Sequence, residues 1–240
     1  MNPSRRFAIV MATFAFVQFG ADWNAGAVDV DSALPVILSE DFESGMDRWQ
    51  TTDPDPADSV WEIISAPTRP GQAGNHAFRV TGASKYEPPY RSPLSIAWLK
   101  DLKVSEFEIT ARVQNTNPSG GNHRDLCFFW GRQSPSEFYY VHFGAKADPH
   151  ACQIFIVNND KRTMITKDQA EGTPWTDGWH NIKVTRSVDD GTVNVYFDDM
   201  TKPLMTAQDT TFGAGEIGLG TFDDSGNFDE VVLRGERAAN

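Results

Sequence analysis

Apolar and polar residues follow two different rhythms along this chain. From Phe7 to Phe19 the run FAIVMATFAFVQF is nearly unbroken. After it, short runs of β-branched and aromatic residues recur between clusters of Gly, Pro, Asn and Asp. These runs are VILSEDF, VWEII, HAFRV, LSIAWL, EFEITARVQ, DLCFFWG, FYYVHFG, CQIFIVN, TMIT, HNIKVTRS, TVNVYF, LMTAQ, EIGLGTF and FDEVVLRG. Alternation is clearest in TVNVYFD, where Val193, Val195 and Phe197 share one face and Asn194 and Tyr196 the other. DDG at 189–191 predicts a tight hairpin turn between two of the runs. No stretch after the first run has the pattern of an amphipathic helix of ordinary length. Many short strands without helices between them predict an all-β fold, a two-sheet antiparallel jelly-roll sandwich.

The first apolar run belongs to a different problem. Arg5 and Arg6 precede it, and Ala25-Gly26-Ala27 supplies a small-x-small cleavage site, so residues 1–27 are predicted to be a signal peptide. The run is too short for a comfortable membrane span, so no membrane insertion is expected after its removal. Residues 28–240 then form one predicted domain, secreted or periplasmic, with no repeat or linker to divide it. The net charge of −12 becomes about −13 once the leader with Arg5, Arg6 and Asp22 is gone. That acidity argues against nucleic acid and anionic membrane as partners. Cys127 and Cys152 fall in different strand candidates with FYYVHFG between them. In a simple meander the outer strands stand about 10 Å apart, beyond the reach of a disulfide, so both are expected to be free.

The C-terminal third carries a family resemblance. GWHNIKVTRSVDDGTVNVYFDDMTKPLMTA followed by GAGEIGLGTFDDSGNFDEVVLRG resembles the closing half of a concanavalin A-like lectin/glucanase domain. Trp179-His180 with Ile182 and Val184 is similar to a strand of laminin-G-like jelly rolls, and SEDFESGMDRWQ and PGQAGNHAFRV resemble the opening strands of secreted bacterial members. The resemblance implies two curved sheets, with polysaccharide held on a concave face by a binding module, a glycoside hydrolase or a polysaccharide lyase. It equally admits a non-enzymatic laminin-G-like adhesion or protein-interaction module. It also implies a structural calcium tying the first and last strands together. Asp41, Gly74 and Asp229 are the positions that would supply its oxygens, with Glu43 as an alternate.

The residues themselves narrow the chemistry. The spaced carboxylates E-x-D-x-x-E of a glucanase are absent, which argues against that hydrolytic mechanism. In FYYVHFG, alternation sends Tyr139, Val141 and Phe143 to one face, the more apolar and hence the expected core. Tyr140 and His142 would project together from the other face as a candidate acid–base pair, such as a lyase would use. His123, Arg124, Lys146 and His150 would converge near them at one end of a three-strand meander, with Gln153 on the next strand and Arg91 in the loop KYEPPYR. Such a cationic cluster in an acidic chain predicts an anionic sugar, carboxylated or sulfated. Trp130, Tyr140, Tyr86, Tyr90 and Trp175 are candidates for stacking on pyranose rings.

Overall fold

The computed structural model describes residues 33–67 and 74–238. The expected signal peptide, and residues 70–73 of PGQAGNH, lie outside the described residues. Sixteen strands are assigned in chain order: β1 (Val36–Glu40), β2 (Trp49–Thr51), β3 (Trp61–Ser65), β4 (His76–Val80), β5 (Ser95–Leu99), β6 (Val104–Asn115), β7 (Cys127–Ser134) and β8 (Glu137–His142) form the first half. The second half comprises β9 (Gln153–Asn158), β10 (Thr163–Met164), β11 (Thr166–Gln169), β12 (His180–Arg186), β13 (Thr192–Phe197), β14 (Met205–Gln208), β15 (Glu216–Thr221) and β16 (Gly226–Arg237). Each of the runs read from the sequence coincides with one of these strands. The two that were not read, β2 and β11, are short or polar: WQT carries a single large apolar residue, and TKDQ none.

Two antiparallel sheets face each other. A nine-stranded sheet runs β11-β14-β13-β12-β6-β16-β4-β3, with β1 added against β16. A seven-stranded sheet runs β10-β9-β8-β7-β15-β5-β2. The inward side chains of both sheets form the main core. They include Phe107, Ile109, Ala111 and Val113 of β6, Val193, Val195 and Phe197 of β13, and Tyr139 and Val141 of β8. The period-two pattern is therefore the direct cause of the sandwich, because each strand must bury one face. At the DDG turn Gly191 takes φ +75°, a conformation that costs glycine nothing. Ser187 then closes the hairpin by donating to the Thr192 carbonyl at 2.9 Å.

β7, β8 and β9 do form the meander, with His142 facing Cys127 on one side and Gln153 on the other. Cys127 belongs to a cluster on the outward face of the seven-stranded sheet, whereas Cys152 lies in the core between the sheets. Opposite faces and an intervening strand keep both thiols free.

The last strand, β16, has one edge served by two partners. Gly226–Phe228 pair with β4, and Val231–Arg234 pair with β1. The change of partner falls at Asp229 and Glu230, where the register against β6 shifts and Glu230 takes φ +48°. This irregularity works as a bulge does: it breaks the ladder locally and re-aims the side chain beside it.

Candidate functional site

The outward face of the seven-stranded sheet is as aromatic as the core. Ile96, Trp98, Cys127, Phe129, Phe138, Tyr140, Phe155 and Val157 form a second buried cluster there. Tyr140 stacks between Phe129 at 5.6 Å and Phe155 at 5.1 Å, and Trp98 meets Phe129 and Phe138 edge-on. Gly218 and Gly220 of β15 leave the middle of the face without side chains, so that the Trp98 and Phe129 rings lie where Cβ atoms would be.

Arginines cap this aromatic layer. The Arg132 guanidinium stands 4.7 Å from the Trp98 ring, and Arg162 stands 4.8 Å from Phe155 and 4.7 Å from Phe222. Arg91 stands 5.4 Å from the same Phe222. A guanidinium over a ring keeps further N–H donors for an oxyanion, and Arg162 spends one of its own on the Tyr140 hydroxyl. Arg132 also pairs with Glu216, which satisfies part of its charge. A cavity of about 170 Å³ adjoins this layer, lined by Gln50, Thr52, Tyr86, Trp98, Arg132 and Phe138. The loop KYEPPYR borders it through Tyr86.

Four polar residues close one end of the same face. Asp125 Oδ2 lies 3.0 Å from His142 Nε2. Its Oδ1 accepts from Thr221 Oγ1 at 2.7 Å and from the Phe222 amide at 3.1 Å. Burial alone would push this carboxyl up, but His142, Thr221 and the Phe222 amide outweigh it and hold Asp125 below its ordinary range. Cys127 lies beside them, its thiol pushed well up by burial and by the Asp125 charge. Gln153 completes the row and donates its amide to the Asp148 carbonyl at 2.8 Å.

The structure corrects several expectations about these residues. Tyr140 and His142 do share a face, but that face is packed. Tyr140 is 0 % exposed, its hydroxyl accepts from Arg162 Nη1 at 3.0 Å, and burial raises its pKa further from any working range. His142 is 5 % exposed. An acid–base pair open to a polysaccharide is therefore not present in this arrangement. Trp130 was expected at a sugar-binding surface, yet it points into the sandwich and stacks on Tyr139 at 5.7 Å. Parity explains this, because Phe128 and Trp130 share the face opposite to Cys127 and Phe129.

Arg124 does not join the expected cationic cluster. Arg124 turns inward and clamps Asn115, the Thr176 carbonyl and Asp177. His123, Lys146 and His150 lie at the same end of the meander but are exposed. His123 acts with His142 only against the upward shift that partial burial and the charges of Asp125 and Asp224 give Asp223. Trp175 is a structural residue, donating Nε1 to the Phe143 carbonyl at 2.7 Å and meeting Phe197 edge-on. Tyr90 remains exposed. The cations that cap the aromatic layer are instead Arg91, Arg132 and Arg162. Arg91 was in the expected set. Arg162 sits in the polar loop NNDKRT, and only strand pairing brings it back over Phe155.

The residues expected to bind calcium fall at the ends of β1 and β4 and within β16, in the nine-stranded sheet. Asp229 is completely buried, with Oδ2 accepting from Asn75 Nδ2 at 2.7 Å and Oδ1 from the Glu230 amide at 2.7 Å. Burial pushes its carboxyl up to about 6 against those two hydrogen bonds, and the charges of Glu230 and Glu43 add to the rise. Glu43 accepts from the His76 amide at 2.6 Å and meets His76 Nδ1 at 2.7 Å. Asp41 is exposed and accepts from the Glu43 amide at 3.2 Å. The pairing of Ser39 with Val232 and Glu40 with Val231 carries Asp41 toward Glu230. Gly74, at φ +77°, immediately precedes Asn75. Both Asp229 oxygens accept N–H donors, so a calcium ion would have to replace those bonds, with Asp41, Glu43 and the Gly74 carbonyl as the further oxygen donors it would need.

The two antiparallel sheets and their strand order are those of a concanavalin A-like jelly roll. No family model matches the chain, and no curated protein matches its sequence. Solved structures do. The chain is similar to the carbohydrate-binding module CBM66 from Bacillus subtilis, with a TM-score of 0.53 and 16% identity, over 79% of this chain and 96% of that one. It is also similar to the cellulose induced protein Cip1, with a TM-score of 0.55 and 13% identity, over 85% of this chain and 99% of that one. At such identities the likeness is one of fold.

Proposed function

We propose that this is an exported carbohydrate-recognition domain that binds an acidic polysaccharide over the outward face of its seven-stranded sheet. The observation that carries this reading is the set of arginines held over aromatic rings in a chain of net charge −12. Arg91 and Arg162 offer N–H edges to a uronate or sulfate, while Tyr86 and the cavity beside Trp98 offer an apolar surface with polar neighbours. The fold shared with a carbohydrate-binding module supports the class of ligand. Recognition is preferred to hydrolysis or elimination because the candidate acid–base pair, Tyr140 and His142, is enclosed rather than open to a sugar. We also propose a structural calcium at Asp229, Glu43, Asp41 and the Gly74 carbonyl. Its charge would offset the buried acid and join the start of β4 to the middle of β16.

A glycan array spanning neutral, uronate-rich and sulfated polysaccharides, read with calcium and with chelator, tests the reading. Selective retention on acidic glycans is expected, weakening as salt rises. Arg162→Ala should lower affinity by tenfold or more. Retention confined to neutral glycans, or an Arg162→Ala variant that binds as well as the parent, would overturn the assignment. Depolymerisation of any of these glycans would replace recognition with catalysis.

A further inference from the structure

Asp125, Cys127 and His142 together make a donor set that sugar recognition does not use. One carboxylate oxygen, the thiol sulfur and one imidazole nitrogen all lie within 4.8 Å of one another. Their relative exposures are 1 %, 1 % and 5 %. Strand geometry explains the convergence. Cys127 and His142 face each other directly across β7 and β8, and Asp125 precedes Cys127 by two residues, on the same side of an extended chain. Carboxylate, thiolate and imidazole together suit a borderline-soft ion, not calcium, which takes oxygen donors.

A second observation points to the same place. Two buried polar atoms in this row have no hydrogen-bond partner: His142 Nδ1 and Gln153 Oε1. They belong to residues that face each other across β8 and β9, and Gln153 is 2 % exposed. Gly144 leaves room for the ring, since a Cβ there would sit 3.0 Å from Nδ1. With the imidazole proton on Nε2, directed at Asp125, both atoms stay unsatisfied. With the proton on Nδ1, the ring presents Nε2 as a bare lone pair beside Asp125 and Cys127, and a turn of the facing Gln153 side chain would bring an acceptor to Nδ1. That tautomer is the one a metal requires, with its outer N–H held by an acceptor.

We infer that Asp125, Cys127 and His142 form a zinc site, with Gln153 as the acceptor that orients the imidazole. Zn²⁺ replaces the thiol proton of Cys127, which leaves to solvent, and the ring proton passes from Nε2 to Nδ1. The ion's two positive charges then balance one carboxylate and one thiolate. Zinc bonds of about 2.0–2.3 Å need donor atoms roughly 3.3–3.8 Å apart in a tetrahedron. The His142–Asp125 separation of 3.0 Å and the 4.8 Å envelope lie close to that range, so shifts of about an ångström complete the site. The fourth position is left to a water or to a ligand group.

Cobalt(II) tests this without any assay of sugar binding, because a thiolate bound to Co²⁺ gives a near-ultraviolet charge-transfer band. The purified protein, stripped with chelator, should take up one Co²⁺ with that band and release it to one equivalent of Zn²⁺. Cys127→Ser should lose the band, and Cys152→Ser, on the other face of the sheet, should keep it. Asp125→Asn, which preserves shape, should weaken zinc about tenfold to a hundredfold, and Asp229→Asn should leave it unchanged. A parent protein that binds neither ion, or a band that survives in Cys127→Ser, would show that the site is a buried hydrogen-bonded cluster only.

Discussion

Tyr140 shows what parity can and cannot establish about a residue. Alternation in FYYVHFG assigns Tyr140 and His142 to the face opposite Tyr139 and Val141, and the structure has them there. Exposure is a separate matter. DLCFFWG, FYYVHFG and CQIFIVN are apolar at both parities, and a strand that is apolar on both faces is covered on both. That signal was in the sequence and it points away from an open catalytic tyrosine. Asp125 was harder to see, because only the register of β7 and β8 brings it to His142. Tyr140 should therefore behave as a packing residue. Tyr140→Ala should cost about 3–5 kcal/mol in urea unfolding, as large aromatic truncations do. Tyr140→Phe, which removes only the acceptor for Arg162, should cost about 1 kcal/mol. If Tyr140→Ala unfolds at the parental urea concentration, the ring does not support the aromatic layer.

At the scale of the element, β15 shows how glycine shapes this face. EIGLGTF reads as a strand because Ile217 and Leu219 face the core, while Gly218 and Gly220 face outward with no side chains. A Cβ at Gly220 would lie 2.1 Å from the Ser95 carbonyl and 3.1 Å from Phe129, and one at Gly218 would lie 2.9 Å from Trp98. Neither could be accommodated without moving β5 or rotating a buried ring. Gly220→Ala should destabilise by about 2–3 kcal/mol, the upper part of the range for overpacking, and should loosen β5. Hydrogen exchange at Ile96 and Ala97 would report that loosening. Unchanged protection there, with unchanged stability, would mean that β15 and β5 adjust at no cost. The edge strands teach the opposite lesson. β11 is polar throughout and its pairing with β14 is set by neighbours, so no pattern within TKDQ announces it.

For the whole molecule, β1 and β4 share one edge of β16, and the buried acid where they meet makes stability depend on pH. Asp229 is raised from an ordinary carboxyl value of 3.8 to about 6 in the folded chain. Between these values the native state holds more protons than the unfolded state, so this group makes stability fall as pH rises through that window. Above about 6 both states are ionised and the penalty is complete. A calcium ion bound to the ionised carboxylate reverses the sign, since it favours the deprotonated native form and adds stability by mass action. The gain in Tm on adding calcium should therefore be small near pH 4 and should grow as pH rises toward 7. Asp229→Asn, unable to ionise, should show little calcium response at either pH and a flatter pH profile in chelator. Scanning calorimetry of both proteins, with calcium and with chelator, distinguishes the outcomes. A calcium-independent Tm at pH 7 in the parent protein removes the ion from this site, and with it the reason for holding a buried acid at the junction of β4 and β16.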